Sequence, residues 1–207
     1  MTFWDQAFDI PGYKYGTAPN AFVREQAARL RPGGRVLVPG DGEGRNGVWL
    51  AAQGHEVLSV DGSAVGLAKA RALARQQGVP LRTELADLAQ WAPGPAGFDA
   101  VVLTYVHLPP AIRAGAHRRL AAALRPGGWL VLEAFTPQQL AYASGGPRDA
   151  DMLYTAQQLR ADFAGLLREE LAWDGVVQLD EGPGHQGAAH VLRWLAQAPE
   201  NVFMVFS

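Results

Sequence analysis

The run RVLVPGDGEGRNGVWLAAQGHEVLSVD, from Arg35 to Asp61, defines a supersecondary unit on sequence alone. Val36, Leu37 and Val38 form a short apolar strand that Pro39 closes, and Gly40, Gly42, Gly44 and Gly47 follow it. A helix then starts, Gly54 stops it, and a second β-branched strand delivers Asp61. Strand, glycine turn, helix, strand and acid make a nucleotide- or nucleoside-binding βαβ half. The glycines let a ligand approach the backbone, and an acid about twenty residues on accepts from ribose hydroxyls. Two registers of the turn compete. Gly42-Glu-Gly44-Arg-Asn-Gly47 is a literal dinucleotide fingerprint, whereas Gly40-Asp-Gly42-Glu-Gly44 starts immediately after the strand, where a tight turn belongs. The dinucleotide register leaves Pro39, Gly40 and Asp41 without a role.

Around this unit the bulk composition is that of a globular chain. At 207 residues, 48% hydrophobic and 18% charged, one domain over 1–207 is expected, with 1–20 as an arm or lid and 201–207 as a tail of uncertain status. Eighteen basic and 20 acidic residues give a net charge of -2, which offers no bulk electrostatic reason to expect nucleic acid or an anionic membrane as partner. The lack of cysteine excludes disulfides, thiolate metal sites and cysteine nucleophiles. No basic-then-apolar leader opens the sequence, and no apolar run approaches the roughly 20 residues that span a bilayer. A soluble cytoplasmic protein, monomer or homodimer, is the expectation.

Taken in order, residues 1–20 are rich in aromatics and broken by Pro11, Gly12, Gly16 and Pro19. A short helix near 3–8 is predicted, with Tyr13 and Tyr15 as a lid, or with Trp4, Phe8 and Tyr13 packing the arm down. A helix over 21–30 ends in Leu30-Arg-Pro-Gly-Gly34, a string that recurs as Leu124-Arg-Pro-Gly-Gly128, so both copies read as helix-to-strand connections. Ser63 caps a long helix that ends at Gly78. A strand over 81–85 leads to Asp87, and 98–105 is a continuous apolar strand of the kind buried on both faces. A helix over 111–124 and a strand over 129–135 continue the alternation, which argues for a parallel sheet with helices on both faces. Strand-like runs at 170–179 and 188–196, joined by a glycine-rich link over 180–187, suit an antiparallel hairpin and make the sheet mixed.

Four places carry a family resemblance: VLVPGDGEGRN at 36–46, VLSVDGS at 57–63, ADL at 86–88, and FDAVVLTYVHLPP with LRPGGWLVLEAF at 98–110 and 124–135. The chain resembles the class I S-adenosylmethionine-dependent methyltransferases over almost its whole length. FWDQAFDIPGYKYGTAPN, GRNGVWLA, GGPRDADMLYTAQQLRADF and EGPGHQGAAHVLRWLA are similar to the small-molecule branch that holds tellurite-resistance-type and thiopurine-type enzymes. The resemblance implies an α/β, Rossmann-like seven-stranded mixed sheet of order 3-2-1-4-5-7-6, the last strand antiparallel, with helices on both faces. It also implies S-adenosyl-L-methionine as cofactor and a small-molecule methyl acceptor. By position, Gly40, Asp41, Gly42, Gly44 and Asn46 lie along the methionyl part. Asp61 and Gly62 lie at the ribose, Asp87 and Leu88 at the adenine, and Tyr105 at the reacting end. One departure is Val38, where the family often has an acid.

Physical chemistry supports two of these assignments independently. Asp61 and Asp87 each follow a strand directly, and carboxylates there accept from vicinal hydroxyls or an amino group. A helix cap for Asp61 and a plain turn residue for Asp87 are the structural alternatives. The resemblance puts the last hairpin turn at the carboxyl edge of the sheet, so Glu181 and His185 reach the substrate side, or His185 only closes the turn. His107 is a candidate base or a helix cap. His107 and His185 are the catalytic candidates, and a soft S, Se or Te nucleophile would need no strong base. Tyr15, Tyr142 and Arg148 are the substrate candidates, the last two on a cover over 136–151. No metal-binding spacing occurs. The rivals are an NAD-dependent oxidoreductase and a non-catalytic cofactor-binding module.

Overall fold

The computed structural model describes residues 2–200. The tail of uncertain status, 201–207, lies outside them. Thr2 caps α1 (Phe3–Phe8) through a reciprocal capping box with Asp5, and Asn20 caps α2 (Ala21–Gln26). The helix expected to reach residue 30 tightens at its end into the 3-10 turn Ala27–Arg29. The core then alternates as β1 (Arg35–Pro39), α3 (Arg45–Ala52), β2 (Glu56–Asp61), α4 (Ala64–Gln77) and β3 (Arg82–Leu85). It continues as β4 (Phe98–Thr104), α5 (Pro110–Ala122), β5 (Leu124–Phe135), α6 (Ala156–Asp162), β6 (Arg168–Glu181) and β7 (His185–Gln197).

These strands form one sheet of order β3-β2-β1-β4-β5-β7-β6. All neighbours from β3 to β5 are parallel, and β7 runs antiparallel to both β5 and β6. The order expected from the resemblance is the one observed. β1 and β4 lie in the middle and are apolar on both faces because both faces are covered. On one face Val36, Val38 and Val57 pack against Phe22 and Val23 of α2 and Leu50 of α3. On the other, Leu37, Val101, Leu103 and Leu130 pack against Leu120 of α5 and Leu159 of α6. Among the described residues no helix is long and apolar enough to cross a membrane.

Three differences from the sequence expectation have physical causes. The second Leu-Arg-Pro-Gly-Gly string is the irregular start of β5, where the register shifts between Phe98 and Ala100. Both copies frame Asp99. Arg125 Nη1 lies 3.1 Å and Arg31 Nη1 3.5 Å from its carboxylate, and the Arg35 N–H donates to it at 2.8 Å. The last hairpin is tighter than expected: β6 runs to Glu181 and β7 starts at His185, so Glu181 and His185 are direct cross-strand partners. Finally, α6 was not expected; its signal is the Thr155-x-x-Gln158 capping box.

Candidate active site

The glycine turn starts at Gly40, directly after β1, and α3 begins at Arg45, one residue past Gly44. That is the register that runs from Gly40, not the dinucleotide one. Asp61, at the end of β2, accepts from the Gly42 N–H and the Ser63 N–H, each at 2.8 Å. Each carboxylate oxygen keeps a lone pair for a further donor. Burial pushes the Asp61 carboxyl up, against the pull of those N–H groups. Gly62 is exposed, and a Cβ there would meet only the Ala86 carbonyl at 3.7 Å, so the strand tip is open to a ligand. Asp87 is exposed; one oxygen caps the Ala89 N–H at 2.9 Å and the other is free. Leu88 is half-buried and packs onto the core.

Two residues expected along the cofactor belong to the scaffold instead. Asp41 turns inward and accepts from Ser59 Oγ and, at 3.2 Å, from the Gly47 N–H. Burial lifts its carboxyl to about 7. It braces the turn from beneath, the support that the resemblance would have placed at Val38. Asn46 is 2% exposed; its Oδ1 accepts from the Asn20 N–H at 2.9 Å and its Nδ2 donates to Thr104 Oγ1 at 2.7 Å. It joins the N-terminal arm to β4, so its side chain is a brace.

The arm lies across the turn. Asp5 Oδ1 accepts from Ser63 Oγ at 2.7 Å, which docks α1 on the start of α4. Phe8 is 4% exposed, and a Cβ on Gly42 would come within 2.8 Å of its ring. The Lys14 N–H donates to Glu43 Oε2 and its carbonyl accepts from the Gly184 N–H, both at 2.7 Å, so the arm ends on the hairpin tip. Of the two roles expected for the arm, the packing is what is seen: Phe8 packs onto the glycine turn, and Tyr15 lies against His185.

There His185, 4% exposed, sits among aromatic rings. Tyr15 is 4.3 Å, Tyr105 4.7 Å and Phe135 5.3 Å away between centroids. Its Nδ1 pairs with Glu181 Oε2 at 3.2 Å, and that is the one side-chain hydrogen bond of the ring among the described residues. Gly145, at φ +124°, closes over this edge, where a Cβ would stand 3.0 Å from Nε2. Only glycine lets the cover come so near. Burial lowers the imidazole, against Glu181, which raises it. Burial would raise Glu181, but His185 and Arg45 outweigh it and hold the carboxyl down at about 2. The hydrogen bond to Glu181 fixes Nδ1 and leaves Nε2 as the nitrogen without a protein partner among the described residues.

Beneath the rings lies a buried polar network that sequence reasoning missed. Glu133, 1% exposed on β5, accepts from Tyr105 Oη at 2.6 Å, Asn20 Nδ2 at 2.7 Å and Arg193 Nε at 2.6 Å. Asn20 Nδ2 also donates to Glu181 at 3.1 Å, and Arg45 Nη2 does so at 3.0 Å. Tyr105 adopts φ +55°, a left-handed conformation that costs about 1–2 kcal/mol for an L-residue. Glu133 holds it there at both ends, since its carbonyl also accepts the Tyr105 N–H at 2.8 Å. An acid inside the apolar run WLVLEAF was the available signal, because a buried carboxylate requires partners.

Three other expectations change. His107 is no base: its Nδ1 donates to the Met152 carbonyl at 2.7 Å and its Nε2 accepts the Phe135 N–H at 3.1 Å. Both nitrogens are committed, and burial lowers the ring to about 4. Arg148 is exposed and donates to the Leu140 carbonyl at 3.3 Å, away from the rings. Tyr142 is half-buried, and its N–H donates to the Gln139 carbonyl at 2.9 Å. The cover itself is pinned by Gln139, fully buried, whose Oε1 accepts the His190 N–H at 2.8 Å. Two shallow clefts, of about 260 and 310 Å³, lie instead at the opposite, amino edge of the sheet.

The sheet order places Asp61 at the end of β2, Tyr105 just after β4 and His185 at the start of β7, all on one edge. Residues 36–128 match the methyltransferase domain family. A protein studied for the conversion of a disulfide bond into a thioacetal group during echinomycin biosynthesis is similar in structure, with 19% identity and a TM-score of 0.75 over 92% of this chain and 86% of that one. TehB from Haemophilus influenzae has 19% identity and a TM-score of 0.71, over 88% of this chain and 63% of that one. The 1,6-didemethyltoxoflavin-N1-methyltransferase of Burkholderia thailandensis has 22% identity and a TM-score of 0.61, over 87% and 79%. No curated protein matches the sequence. At these identities the structural likeness is one of fold. The match to a methyltransferase domain spans residues 36–128, and the sheet order of the whole chain is that of the class I fold. The NAD-dependent oxidoreductase reading falls with the dinucleotide register.

Proposed function

We propose that the whole chain works as one methyltransferase domain that methylates a small molecule at a soft sulfur, selenium or tellurium atom, with His185 as the group that takes the acceptor's proton. When bound, S-adenosylmethionine supplies an electrophilic methyl group on a sulfonium. The donors and acceptors present suit it: Asp61 and Gly62 for the ribose, Asp87 and the Leu88 backbone for the adenine, and the backbone of Gly40, Gly42 and Gly44 for the methionyl part. The N-terminal arm acts as the lid, and Tyr15 and Tyr105 line the reacting end.

The observation that carries this reading is the unpartnered Nε2 of His185 among three aromatic rings. Glu181 fixes the tautomer with the proton on Nδ1, so Nε2 presents its lone pair. A thiol or selenol needs only a weak base near neutral pH, and sulfur–aromatic contacts are worth about 0.3–1.5 kcal/mol each. Proximity and water exclusion supply the rest, which is what a lid is for. The test is a panel of thiols, selenols, tellurite and aromatic N–H compounds with methyl-labelled cofactor. Turnover of thiols or reduced chalcogens is expected. Turnover of the N–H compounds alone would overturn the soft-acceptor reading but keep the methyltransferase. Cofactor binding without product from any acceptor would favour the non-catalytic module.

A further inference from the structure

We propose that a side-chain bracket of Gln139 and Ser144 holds Gly145 as a fixed ceiling over His185, and that this ceiling restricts the acceptor to compact sulfur, selenium or tellurium species. The inference rests on the reading of His185 as the group that faces the acceptor. Pairing of β5 with β7 stops at Phe135 and Val191, and the Thr136 N–H adds one last rung to the His190 carbonyl at 3.2 Å. Beyond it the chain turns away into the 3-10 turn Pro137–Ala141, so the next groups of β7 lose their strand partner. Side chains take the place of the missing strand. Gln139 Oε1 accepts the His190 N–H at 2.8 Å, and Ser144 Oγ donates to the Ala188 carbonyl at 2.7 Å. Gln139 Nε2 joins the two, donating to Ser144 Oγ and to the Gly145 carbonyl, each at 3.0 Å.

The bracket is buried, and a buried amide whose two N–H groups and oxygen are all engaged is held in one place. It delivers two consecutive glycines onto the reacting side. Gly145 lies along the Cδ2–Nε2 edge of His185, where an added Cβ would stand 2.5 and 3.0 Å from those two atoms. Gly146 lies on Phe135, where a Cβ would stand 2.7 Å from the ring. Tyr15, Tyr105 and Phe135 already meet the imidazole at 4.3, 4.7 and 5.3 Å between centroids, which is ring-to-ring contact. At that spacing none of them leaves a slot for a further planar group against His185. An acceptor that reaches Nε2 under the ceiling must be slim. A hydrosulfide, a hydroselenide or a thiol with a small substituent fits, and a bulky one meets Gly145 first. Gln139 acts through Gly145, so it is a positioning residue.

Two measurements on Gln139→Ala and the milder Ser144→Ala test this. The first needs no substrate: diethyl pyrocarbonate modifies unprotonated histidine nitrogens that it can reach, and mass spectrometry reads each histidine separately. Loss of the bracket should speed modification of His185 about 10-fold, the weight of one lost buried hydrogen bond, and leave His107 and His117 unchanged. An unchanged rate at His185, or a rise shared by all three, overturns the ceiling. The second compares methanethiol with the bulkier phenylmethanethiol. The unmodified protein should prefer methanethiol in kcat/KM by about 10-fold or more, and Gln139→Ala should narrow that preference by gaining on the bulkier thiol. Equal turnover of both thiols by the unmodified protein, or an equal loss on both in the variant, overturns the restriction. Methylation of neither thiol overturns the soft-acceptor reading and the restriction with it, while the histidine modification still decides the ceiling.

Discussion

The two halves of the site are made in different ways. The half proposed to hold the adenosine is local: Asp61 takes the Gly42 N–H from 19 residues away and the Ser63 N–H from two. The acceptor half is gathered from the whole chain. Asn20 reaches Glu133 across 113 residues and Glu181 across 161, and Arg45 reaches Glu181 across 136. A turn between two strands largely sets the first by connectivity. The second exists only when the β6–β7 hairpin is docked beside β5 and the arm is laid over both. In the proposed reading, cofactor recognition is therefore written as a motif, and acceptor chemistry as a topology.

If that division is right, damage to each half should have its own signature. The largest effect belongs to the acceptor half. His185→Gln should lower turnover by about 10²- to 10⁴-fold, the usual contribution of a positioned base, with S-adenosylhomocysteine affinity unchanged. Parallel loss of turnover and affinity would merge the two halves. Asp61→Asn should act the other way, weakening S-adenosylhomocysteine by about 10- to 100-fold in calorimetry, since charged acceptor bonds are worth about 1.5–3 kcal/mol. Unchanged affinity would remove Asp61 from the ribose.

Smaller effects appear in the dependence of stability on pH, where the two scaffold residues pull in opposite directions. Asp41 in the fold titrates at about 7, above its unfolded value, so the native state keeps a proton that the unfolded chain releases. Its contribution makes stability fall as pH rises from about 4 to about 7, and Asp41→Asn should remove that fall. His107 in the fold titrates at about 4, below its unfolded value, so the unfolded chain protonates first. Its contribution makes stability fall as pH drops from about 6.5 to about 4, and His107→Gln should remove that limb. Thermal melts of both variants over roughly pH 4 to 8 check the signs. The smallest functional effect is expected at the amino edge. Asp99→Ala breaks the contacts to Arg31 and Arg125, should lower the melting temperature by a few degrees, and should leave cofactor affinity alone.

The same division explains what could be read without coordinates. The register of the glycine turn and the place of Asp61 follow from strand boundaries a few residues away. The sheet order came from the resemblance, and with it the hairpin turn, so His185 was found at the correct edge. Asn46 and Asp41 misled because a polar residue in a glycine turn looks like a ligand contact, whereas burial turned both inward onto Thr104 and Ser59. His107 misled because nothing local reveals that Met152 and Phe135 take both its nitrogens. Arg148 was placed by the composition of its loop, and the buried Gln139 fixes that loop in another way. Glu133 and Arg193 carried a usable signal, each a charge inside an apolar strand, and their contact at 2.6 Å is the kind of pairing such charges demand.

The central claim is that the cofactor's reacting end faces the free nitrogen of His185. A crystal structure with S-adenosylhomocysteine measures this directly. The account predicts both ribose hydroxyls on Asp61, the thioether sulfur turned toward His185 Nε2, and room between them for one acceptor atom. A sulfur facing away from His185, or an Nε2 closed off by a protein partner in that complex, would contradict it.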